Sequence, residues 1–251
     1  MAQKNKQPLL IIAGPCAVET ESQLHKTVED IYKSVDIIRA GVWKARTSPK
    51  SYSGRGEESL NWLNDIQNKY HTPVAIEIGT PKHIELALKR NIRIFWLGAR
   101  TTANPFSVAE ISESLRGLDV EVWIKNPIFS DIKLWFGAIE RFHAIGIKQL
   151  KAIHRGFYSE KKMIYRNHPR WDLLNEFKMI YSDIPIICDP SHISGNSNLI
   201  HNISKRAIKE GVNGLMIEVH NSPSKALSDK IQQMNPLEFL KVLDEMGLKK
   251  N

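Results

Sequence analysis

Three features are scarce in this chain of 251 residues, and each absence excludes a class of protein. The only two cysteines, Cys16 and Cys188, are too few for a disulfide-stapled secreted scaffold. No stretch approaches the roughly 20 apolar residues of a membrane-spanning helix. No tract rich in proline, glycine and serine interrupts the chain, so we expect a single domain over residues 1–251. Together these absences predict a cytoplasmic protein with reduced thiols and no membrane partner.

Positive charge is what the sequence has in excess, with a formal net charge of +8 at pH 7. A basic balance favours anionic partners, which include nucleic acids, membrane surfaces and phosphorylated metabolites. No cluster of basic and aromatic residues of the usual nucleic-acid-binding kinds is present. Many of the lysines lie on polar faces of predicted helices. We therefore expect no nucleic-acid partner.

Short apolar runs alternate with longer amphipathic stretches along the whole chain. The runs suit parallel strands that are buried on both faces, and they cover residues 9–13, 36–40, 74–78, 93–98, 120–125, 148–153, 184–188 and 214–219. The stretches predict helices at 21–33, 57–69, 81–89, 105–115, 132–144, 173–180, 198–209 and 236–248. Pro81, Pro105 and Pro236 suit the first helical position, and Thr80 is a candidate N-cap.

Eight strands that alternate with eight helices predict a single (β/α)8 TIM barrel. The chain length is close to the roughly 250 residues that are typical of this fold. An open, doubly wound parallel sheet is the structural alternative. The long polar segment 159–171 predicts a functional loop.

The residues that follow the strands are the candidate site, because (β/α)8-barrel enzymes place their active sites at the carboxyl ends of the strands. Every predicted strand carries or precedes a charged or ligand-forming residue. In chain order these residues are Cys16, Arg39, Glu77, Arg100, Lys125, Arg155, Asp189 with His192, and Glu218, and Asp229 follows in the last loop. Burying so many unpaired charges would be costly, so their convergence indicates bound ligands.

The cations form one set, which indicates two anionic ligands, either two phosphates or a phosphate and a carboxylate. The set consists of Arg39, Arg46, Arg100, Lys125 and Arg155. Arg39 lies inside an apolar strand, where an unpaired charge would be costly. Lys44, Arg46 and Thr47 open a Ser/Gly-rich loop that suits a phosphate or carboxylate clamp. A solvated surface loop is the alternative for that segment.

The second set consists of Cys16, His192, Glu218 and Asp229. A thiol, an imidazole and two carboxylates make a mixed donor set, which suits Mn, Fe, Co or Zn rather than Mg or Ca. Taken alone, Cys16 has an alternative explanation as a small buried residue, since free cysteine is often buried for packing.

Seven segments in the same order resemble one enzyme family. They are AGPCAVE at 13–19, KARTSPKSYSG at 44–54, GARTTANPF at 98–106, IKNP at 124–127, HRGF at 154–157, DPSHISG at 189–195 and IEVHNSPSKALSD at 217–229. The chain resembles the type I 3-deoxy-D-arabino-heptulosonate 7-phosphate (DAHP) synthases, most closely the β subgroup. It is similar to the synthase part of a fusion with a chorismate mutase domain, and we expect it to lack the mutase part.

The resemblance implies a transferase that condenses phosphoenolpyruvate with erythrose 4-phosphate, the first step of the shikimate pathway of aromatic amino acid biosynthesis. It assigns the divalent metal to Cys16, His192, Glu218 and Asp229. It assigns phosphoenolpyruvate to Arg39, Arg100, Lys125 and Arg155 with Glu77 nearby, and erythrose 4-phosphate to Lys44, Arg46 and Thr47. Lys125 is also a candidate proton donor, so the resemblance implies catalytic roles for Cys16, His192 and Lys125. A homo-oligomer, dimeric or tetrameric, is expected, and a separate chorismate mutase chain is a further partner that the resemblance allows.

One position departs from the family and two alternatives stay open. The family usually has proline after the lysine of the second motif, where this chain has Ala45, and alanine would leave that loop less rigid. A related synthase that makes 3-deoxy-D-manno-octulosonate 8-phosphate from arabinose 5-phosphate is the nearest rival, but the Arg46–Thr47 pair resembles the erythrose 4-phosphate users. A non-catalytic barrel that partners a separate mutase is the second alternative. His154 suits a ligand-facing role and a packing role equally.

Overall fold

Eight parallel strands form a closed barrel in the computed structural model, which describes residues 8–161 and 163–250. Each strand pairs with its neighbours in sequence, and the last strand pairs with the first. The strands are β1 Leu10–Gly14, β2 Ile37–Ala40, β3 Val74–Ile78, β4 Ile94–Leu97, β5 Glu121–Lys125, β6 Gln149–His154, β7 Ile186–Cys188 and β8 Gly214–Glu218. The predicted (β/α)8 barrel is confirmed, and the open doubly wound sheet is wrong. The single domain predicted over residues 1–251 includes residues 1–7, 162 and 251, which lie outside the described part.

Ten α-helices surround or cap the strands of the described chain. They are α1 Glu21–Ile31, α2 Glu58–Tyr70, α3 Pro81–Leu88, α4 Ala99–Thr102, α5 Pro105–Leu115, α6 Ile132–Ala144, α7 Trp171–Ile180, α8 Pro190–Ser194, α9 Ile200–Lys209 and α10 Pro236–Glu245. Eight of them match the predicted helices. The other two, α4 and α8, follow β4 and β7 directly and are too short to show a helical pattern in the sequence. Across the described residues, we find no helix with both the length and the apolar character needed to span a bilayer.

The helix starts follow local chemistry in most cases. Pro81, Pro105 and Pro236 each occupy the first helical position, as predicted. Asn235 and a glutamate three residues later form a capping box at the start of α10. The cap expected from Thr80 is wrong, because this residue has the extended N-cap backbone but its side chain makes no capping hydrogen bond.

The barrel interior contains one apolar layer, built from one inward-facing side chain of each strand. The members of this layer are Ile12, Ile37, Ala75, Trp96, Trp123, Ile153, Ile187 and Met216. A larger apolar cluster fills the space between the strands and the helices. Successive side chains of a strand point to opposite faces, so the residue two positions beyond each layer member also points inward, nearer the carboxyl end of the barrel. That register places the chemistry of the strand ends in one mouth.

Candidate active site

The inward positions just above the apolar layer are occupied by charged residues and glycines. The charged ones are Arg39, Glu77, Lys125, Arg155, Asp189 and Glu218, each two residues beyond a member of the apolar layer. Gly98 occupies the same position after β4, where a Cβ atom would lie 2.1 Å from Glu77 Oε1. Glycine at this position therefore lets the Glu77 carboxylate lie against the backbone of the next strand. Four of the eight sequence-predicted substrate residues, Arg39, Glu77, Lys125 and Arg155, thus come from one register of the sheet, and the other four come from the loops above it.

Three of the four predicted metal ligands lie together. One ligand atom from each of Cys16, Glu218 and Asp229 lies within 4.8 Å of the other two, and Cys16 Sγ is 3.4 Å from Asp229 Oδ2. His192 is adjacent, with Nε2 3.9 Å from Glu218 Oε1, but its Nδ1 lies 2.9 Å from Asp189 Oδ2. A thiol and two carboxylates with an imidazole beside them fit a borderline divalent cation.

Burial and neighbouring charges together set the ionisation of these ligands. Burial raises the pKa of the Cys16 thiol to about 12, and the neighbouring carboxylates of Glu218 and Asp229 raise it too, against Lys44. Burial also opposes ionisation of Asp229, but Arg166 and other nearby cations outweigh it and lower the pKa of Asp229 to about 2. The cluster therefore combines two ionised carboxylates with a protonated thiol, and a bound cation would favour the thiolate.

Arg39 and Glu218 form a buried ion pair at the base of the mouth, with 2.8 Å between NH1 and Oε1. The guanidinium also lies over the Trp96 ring, 5.0 Å from the centroid, and donates to the Cys16 carbonyl oxygen at 3.2 Å. Arg39 was predicted to need an anionic ligand because a buried unpaired charge is costly. Glu218 compensates the charge of Arg39 within the chain, and Arg39 does not line the cavity, so burial alone does not require an anionic ligand here. The assignment of Arg39 to an anionic substrate stays a prediction.

A second buried pair continues toward the imidazole. Lys125 Nζ donates to Asp189 Oδ2 at 2.8 Å, and the same carboxylate faces His192 Nδ1. Despite its burial, His192 and Lys125 hold the pKa of Asp189 well below its usual range. Asp189 thus orients both the predicted proton donor and the predicted fourth metal ligand, although the sequence assigned it no role.

A cavity of about 380 Å³ opens above these pairs and has a strongly cationic lining. The cations that line it are Lys44, Arg46, Arg100, Lys125, Arg155 and Arg166, with Glu77, His192 and Asp229 also on its wall. The donor set and the cationic wall therefore share one cavity.

Among the described residues that line this cavity, Arg155 is a buried cation that forms no ion pair with a carboxylate. It is buried, and its guanidinium donates to a neutral acceptor, Asn167 Oδ1, at 3.0 Å. Burial lowers the pKa of Arg155 to about 10; Asp189 opposes this shift, and Arg166 and Arg100 add to it. A buried cation that faces other cations binds an anionic ligand more favourably than a cation that is already paired with a carboxylate.

The loop after β2 brings two of its three predicted residues to the cavity. Lys44 Nζ lies 3.0 Å from the Cys16 carbonyl oxygen and 3.2 Å from Cys16 Sγ. Arg46 Nε donates to the Tyr52 carbonyl oxygen at 2.8 Å, and its NH2 contacts the Ser228 hydroxyl. Thr47 is exposed and does not line the cavity; its hydroxyl accepts from Arg100 NH2 at 3.2 Å. Ala45, the departure from the family pattern, lies on the cavity wall.

His154 has a packing role. It is buried, it faces the helical layer, and its ring lies 5.2 Å from that of Trp171 and 6.1 Å from that of Phe157. It does not line the cavity. Alternation along β6 accounts for this orientation, because the neighbouring Ile153 and Arg155 point into the barrel.

Sequence reasoning missed several residues of the mouth. Arg166 pairs with Asp229 at 3.2 Å and donates to Gln232 Oε1 at 2.6 Å, and Ser228 lies 3.2 Å from Cys16 Sγ. Neither follows a strand, so the strand-end criterion could not find them. The signal that was available is the polar segment 159–171, which contains Arg166 and was predicted to be functional.

Fold and site together define a (β/α)8-barrel enzyme with a cationic substrate cavity beside a metal-competent donor set. The family model described as the DAHP synthetase I family matches residues 2–249, and the chain belongs to this family.

Individual relatives are similar over almost the whole chain. A phospho-2-dehydro-3-deoxyheptonate aldolase of Thermotoga maritima is 30% identical over 96% of this chain and 72% of its own length. A 2-dehydro-3-deoxyphosphooctonate aldolase of Desulfotalea psychrophila is 28% identical over 89% of this chain and 83% of its own. The crystal structure of a DAHP synthase from Thermotoga maritima superposes with a TM-score of 0.84 at 28% identity, covering 97% of this chain and 69% of that one. A truncated form of the Thermotoga enzyme gives a TM-score of 0.81 at 26% identity, covering 97% and 86%.

Proposed function

We propose that this protein is a 3-deoxy-7-phosphoheptulonate synthase that condenses phosphoenolpyruvate with erythrose 4-phosphate and water to give DAHP and phosphate, with a divalent cation bound by the chain. One observation carries the proposal. Six cations line a single cavity whose wall also includes Asp229 and His192, beside Cys16 and Glu218. Two anionic substrates and a metal ion are what such a cavity accommodates.

Phosphoenolpyruvate is the ligand that we assign to the side of the cavity around Arg155. Arg155, Arg100 and Lys125 would bind its phosphate and carboxylate, which they orient while offsetting the repulsion between two anionic substrates. Lys125 is held by Asp189 at 2.8 Å and can donate a proton there. C3 of phosphoenolpyruvate attacks the aldehyde carbon of the aldose, and the aldehyde oxygen takes up a proton to become a hydroxyl. Water then adds to C2, which bears the phosphate, and loses a proton. Phosphate leaves from C2 to give the 2-keto group of the product.

Erythrose 4-phosphate is the ligand that we assign to the side of the cavity formed by the loop after β2. Lys44 and Arg46 reach the cavity from this loop, and Arg46 also contacts Ser228 of the loop after β8. Thr47 itself does not reach the cavity, so it would act through Arg100, whose guanidinium donates a hydrogen bond to the Thr47 hydroxyl. When bound by Cys16, Glu218, Asp229 and His192, a divalent cation supplies Lewis acidity toward the aldehyde oxygen.

A second candidate is supported by similarity to the 2-dehydro-3-deoxyphosphooctonate aldolases. These relatives favour a synthase that takes arabinose 5-phosphate, an aldose one carbon longer. The cationic wall suits both aldose phosphates, so the choice between them depends on the loop after β2.

The test is a steady-state assay of the purified protein, depleted of metal and then supplied with Mn, Fe, Co or Zn. We expect turnover with erythrose 4-phosphate to exceed that with arabinose 5-phosphate in kcat/KM and to depend on the added metal. Cys16→Ser should abolish metal-dependent turnover, whereas Cys188→Ala, which alters a buried cysteine outside the cavity, should retain it.

Three outcomes of this assay would contradict parts of the proposal. A higher kcat/KM with arabinose 5-phosphate would make the protein an octulosonate phosphate synthase. Full activity in the presence of a strong chelator would contradict the metal requirement. Absence of turnover with both aldoses in a folded, metal-loaded protein would favour a non-catalytic barrel.

A further inference from the structure

The loop after β2 carries Lys44 and Arg46 to the cavity but lacks proline at position 45. Its base is fixed by backbone hydrogen bonds, from Lys44 N to Ser53 O at 2.8 Å and from Gly56 N to Val42 O at 3.1 Å. Behind the loop lies a second cavity of about 320 Å³, and Ala45 lines both this cavity and the substrate cavity. The segment that presents the two cations therefore has little protein packed behind it at Ala45.

One aromatic contact bridges this gap. The Trp43 ring stacks on the His83 ring of α3, with 3.8 Å between centroids and 4° between planes. Both residues line the second cavity. Because Trp43 immediately precedes Lys44, its stacking fixes the backbone at the point where the loop turns toward the substrate cavity.

His83 is itself well fixed. It lies in the first turn of α3, and its Nδ1 accepts from the Gly79 backbone N–H at 3.2 Å, just beyond β3. Burial lowers the pKa of His83, against the nearby Glu77 carboxylate, so the ring is neutral near pH 7 with its proton on Nε2. The histidine ring is thus anchored to the barrel rather than to the loop that it supports.

We propose that the stack of Trp43 on His83 positions Lys44 and Arg46 for the aldose phosphate, in place of the rigidity that a proline at position 45 would give. The assignment of these two cations to the aldose rests on the proposed function. The φ of Ala45 is not in the positive region that excludes proline. Within the described part of the chain, its backbone N–H also makes no hydrogen bond. Proline at such a position restricts the chain without removing a backbone hydrogen bond.

Two variants of His83 separate stacking from hydrogen bonding. His83→Asn keeps an acceptor near the Nδ1 position but removes the ring, whereas His83→Phe keeps the ring but removes the acceptor. We expect His83→Asn to raise the KM for erythrose 4-phosphate about three- to tenfold, the range that an aromatic pair contributes. In the same variant, the KM for phosphoenolpyruvate and the kcat should each change less than about twofold, which is below the effect of losing an aromatic pair. His83→Phe should resemble the wild type.

Adding Ala45→Pro to His83→Asn should return the KM for erythrose 4-phosphate toward the wild-type value. Hydrogen exchange of the peptide that covers residues 44–54 should be faster in His83→Asn and should slow again in the double variant. Exchange needs no substrate, so it tests the positioning even if the wild type turns over neither aldose, which would instead refute the proposed function.

The proposal is overturned if exchange in residues 44–54 is the same in His83→Asn and the wild type. It is also overturned if His83→Phe behaves like His83→Asn, because the hydrogen bond would then be the contact that matters. Failure of Ala45→Pro to restore either measurement would show that the stack and a proline are not equivalent.

Discussion

Arg39 of β2 and Glu218 of β8 form an ion pair across the mouth of the barrel, with 2.8 Å between NH1 and Oε1 and both side chains buried. Glu218 belongs to the donor set with Cys16 and Asp229, and Arg39 rests on the Trp96 ring. The pair therefore joins the metal-competent side of the mouth to the apolar layer beneath it. A buried pair of this kind is costly to break on one side only, because the remaining charge is left in the interior.

Replacing Arg39 with Met should destabilise the fold by about 3–5 kcal/mol, the cost of leaving one buried charge unpaired. His192 and Lys44 would still act on Glu218, so the lower part of this range is expected. The measurement is the free energy of unfolding in urea at neutral pH, with a chelator present so that metal affinity does not contribute. The double variant Arg39→Met/Glu218→Met should recover much of the loss. Equal stability of Arg39→Met and the wild type would show that the pair does not contribute to folding.

Arg155→Gln should affect ligand binding rather than stability, in contrast to the change at Arg39. Its guanidinium donates to Asn167 and faces Arg100 and Arg166, so removing the charge should leave stability unchanged or improved. Binding of phosphoenolpyruvate should weaken about 10- to 100-fold, as expected for a lost charge-assisted hydrogen bond. Calorimetric titration with phosphoenolpyruvate measures the effect, and Arg116→Gln, which alters an exposed arginine paired with Glu113, is the control. Unchanged affinity in Arg155→Gln would exclude Arg155 from the anion site.

The fold was predictable because two periodicities agree along the whole chain. Short apolar runs and amphipathic stretches alternate eight times, and the strand register then places every second residue in the barrel. This register is why residues such as Lys125, Arg155 and Glu218 could be predicted to converge from the sequence alone.

The pairing within the mouth was not predictable, because it depends on the path of the loops and on distances between residues far apart in sequence. Arg39 and Glu218 are 179 positions apart, and their pairing removed the argument that Arg39 needs an anion. Thr47 does not line the cavity, although its neighbour Arg46 does. Arg166 enters from a loop whose sequence shows no periodic pattern, so only the structure reveals its contact with Asp229.

Ser228→Ala should weaken the binding of both the metal ion and the aldose phosphate. The Ser228 hydroxyl lies 3.2 Å from Cys16 Sγ and contacts the Arg46 guanidinium, so it links the donor set to the loop after β2. Loss of a hydrogen bond to charged partners predicts about a tenfold loss in each affinity. Cobalt titration followed by its thiolate absorption band reports the metal, and the KM for erythrose 4-phosphate reports the aldose. Ser224→Ala, an exposed serine of the same loop, should change neither; a change in only one affinity for Ser228→Ala would refute the link.

The pH dependence of stability should contain a contribution from His154. Burial lowers its pKa to about 3, while the unfolded side chain titrates near 6.5. Between these values the unfolded state takes up a proton that the folded state does not. The contribution of His154 to stability is therefore fully present above pH 6.5 and is lost as the pH falls toward 3. From pH 7.5 to pH 5 this amounts to about 2 kcal/mol.

His154→Phe removes this titration and suits an aromatic site bounded by Phe157 and Trp171. Urea unfolding at pH 7.5 and at pH 5 should therefore show a smaller loss of stability in His154→Phe than in the wild type, by about 2 kcal/mol. His143→Gln, which alters an exposed histidine of α6, controls for the loss of an imidazole as such. An equal loss of stability between pH 7.5 and pH 5 in His154→Phe and the wild type would contradict this prediction. It would mean that folded His154 takes up its proton at pH 5 as the unfolded side chain does.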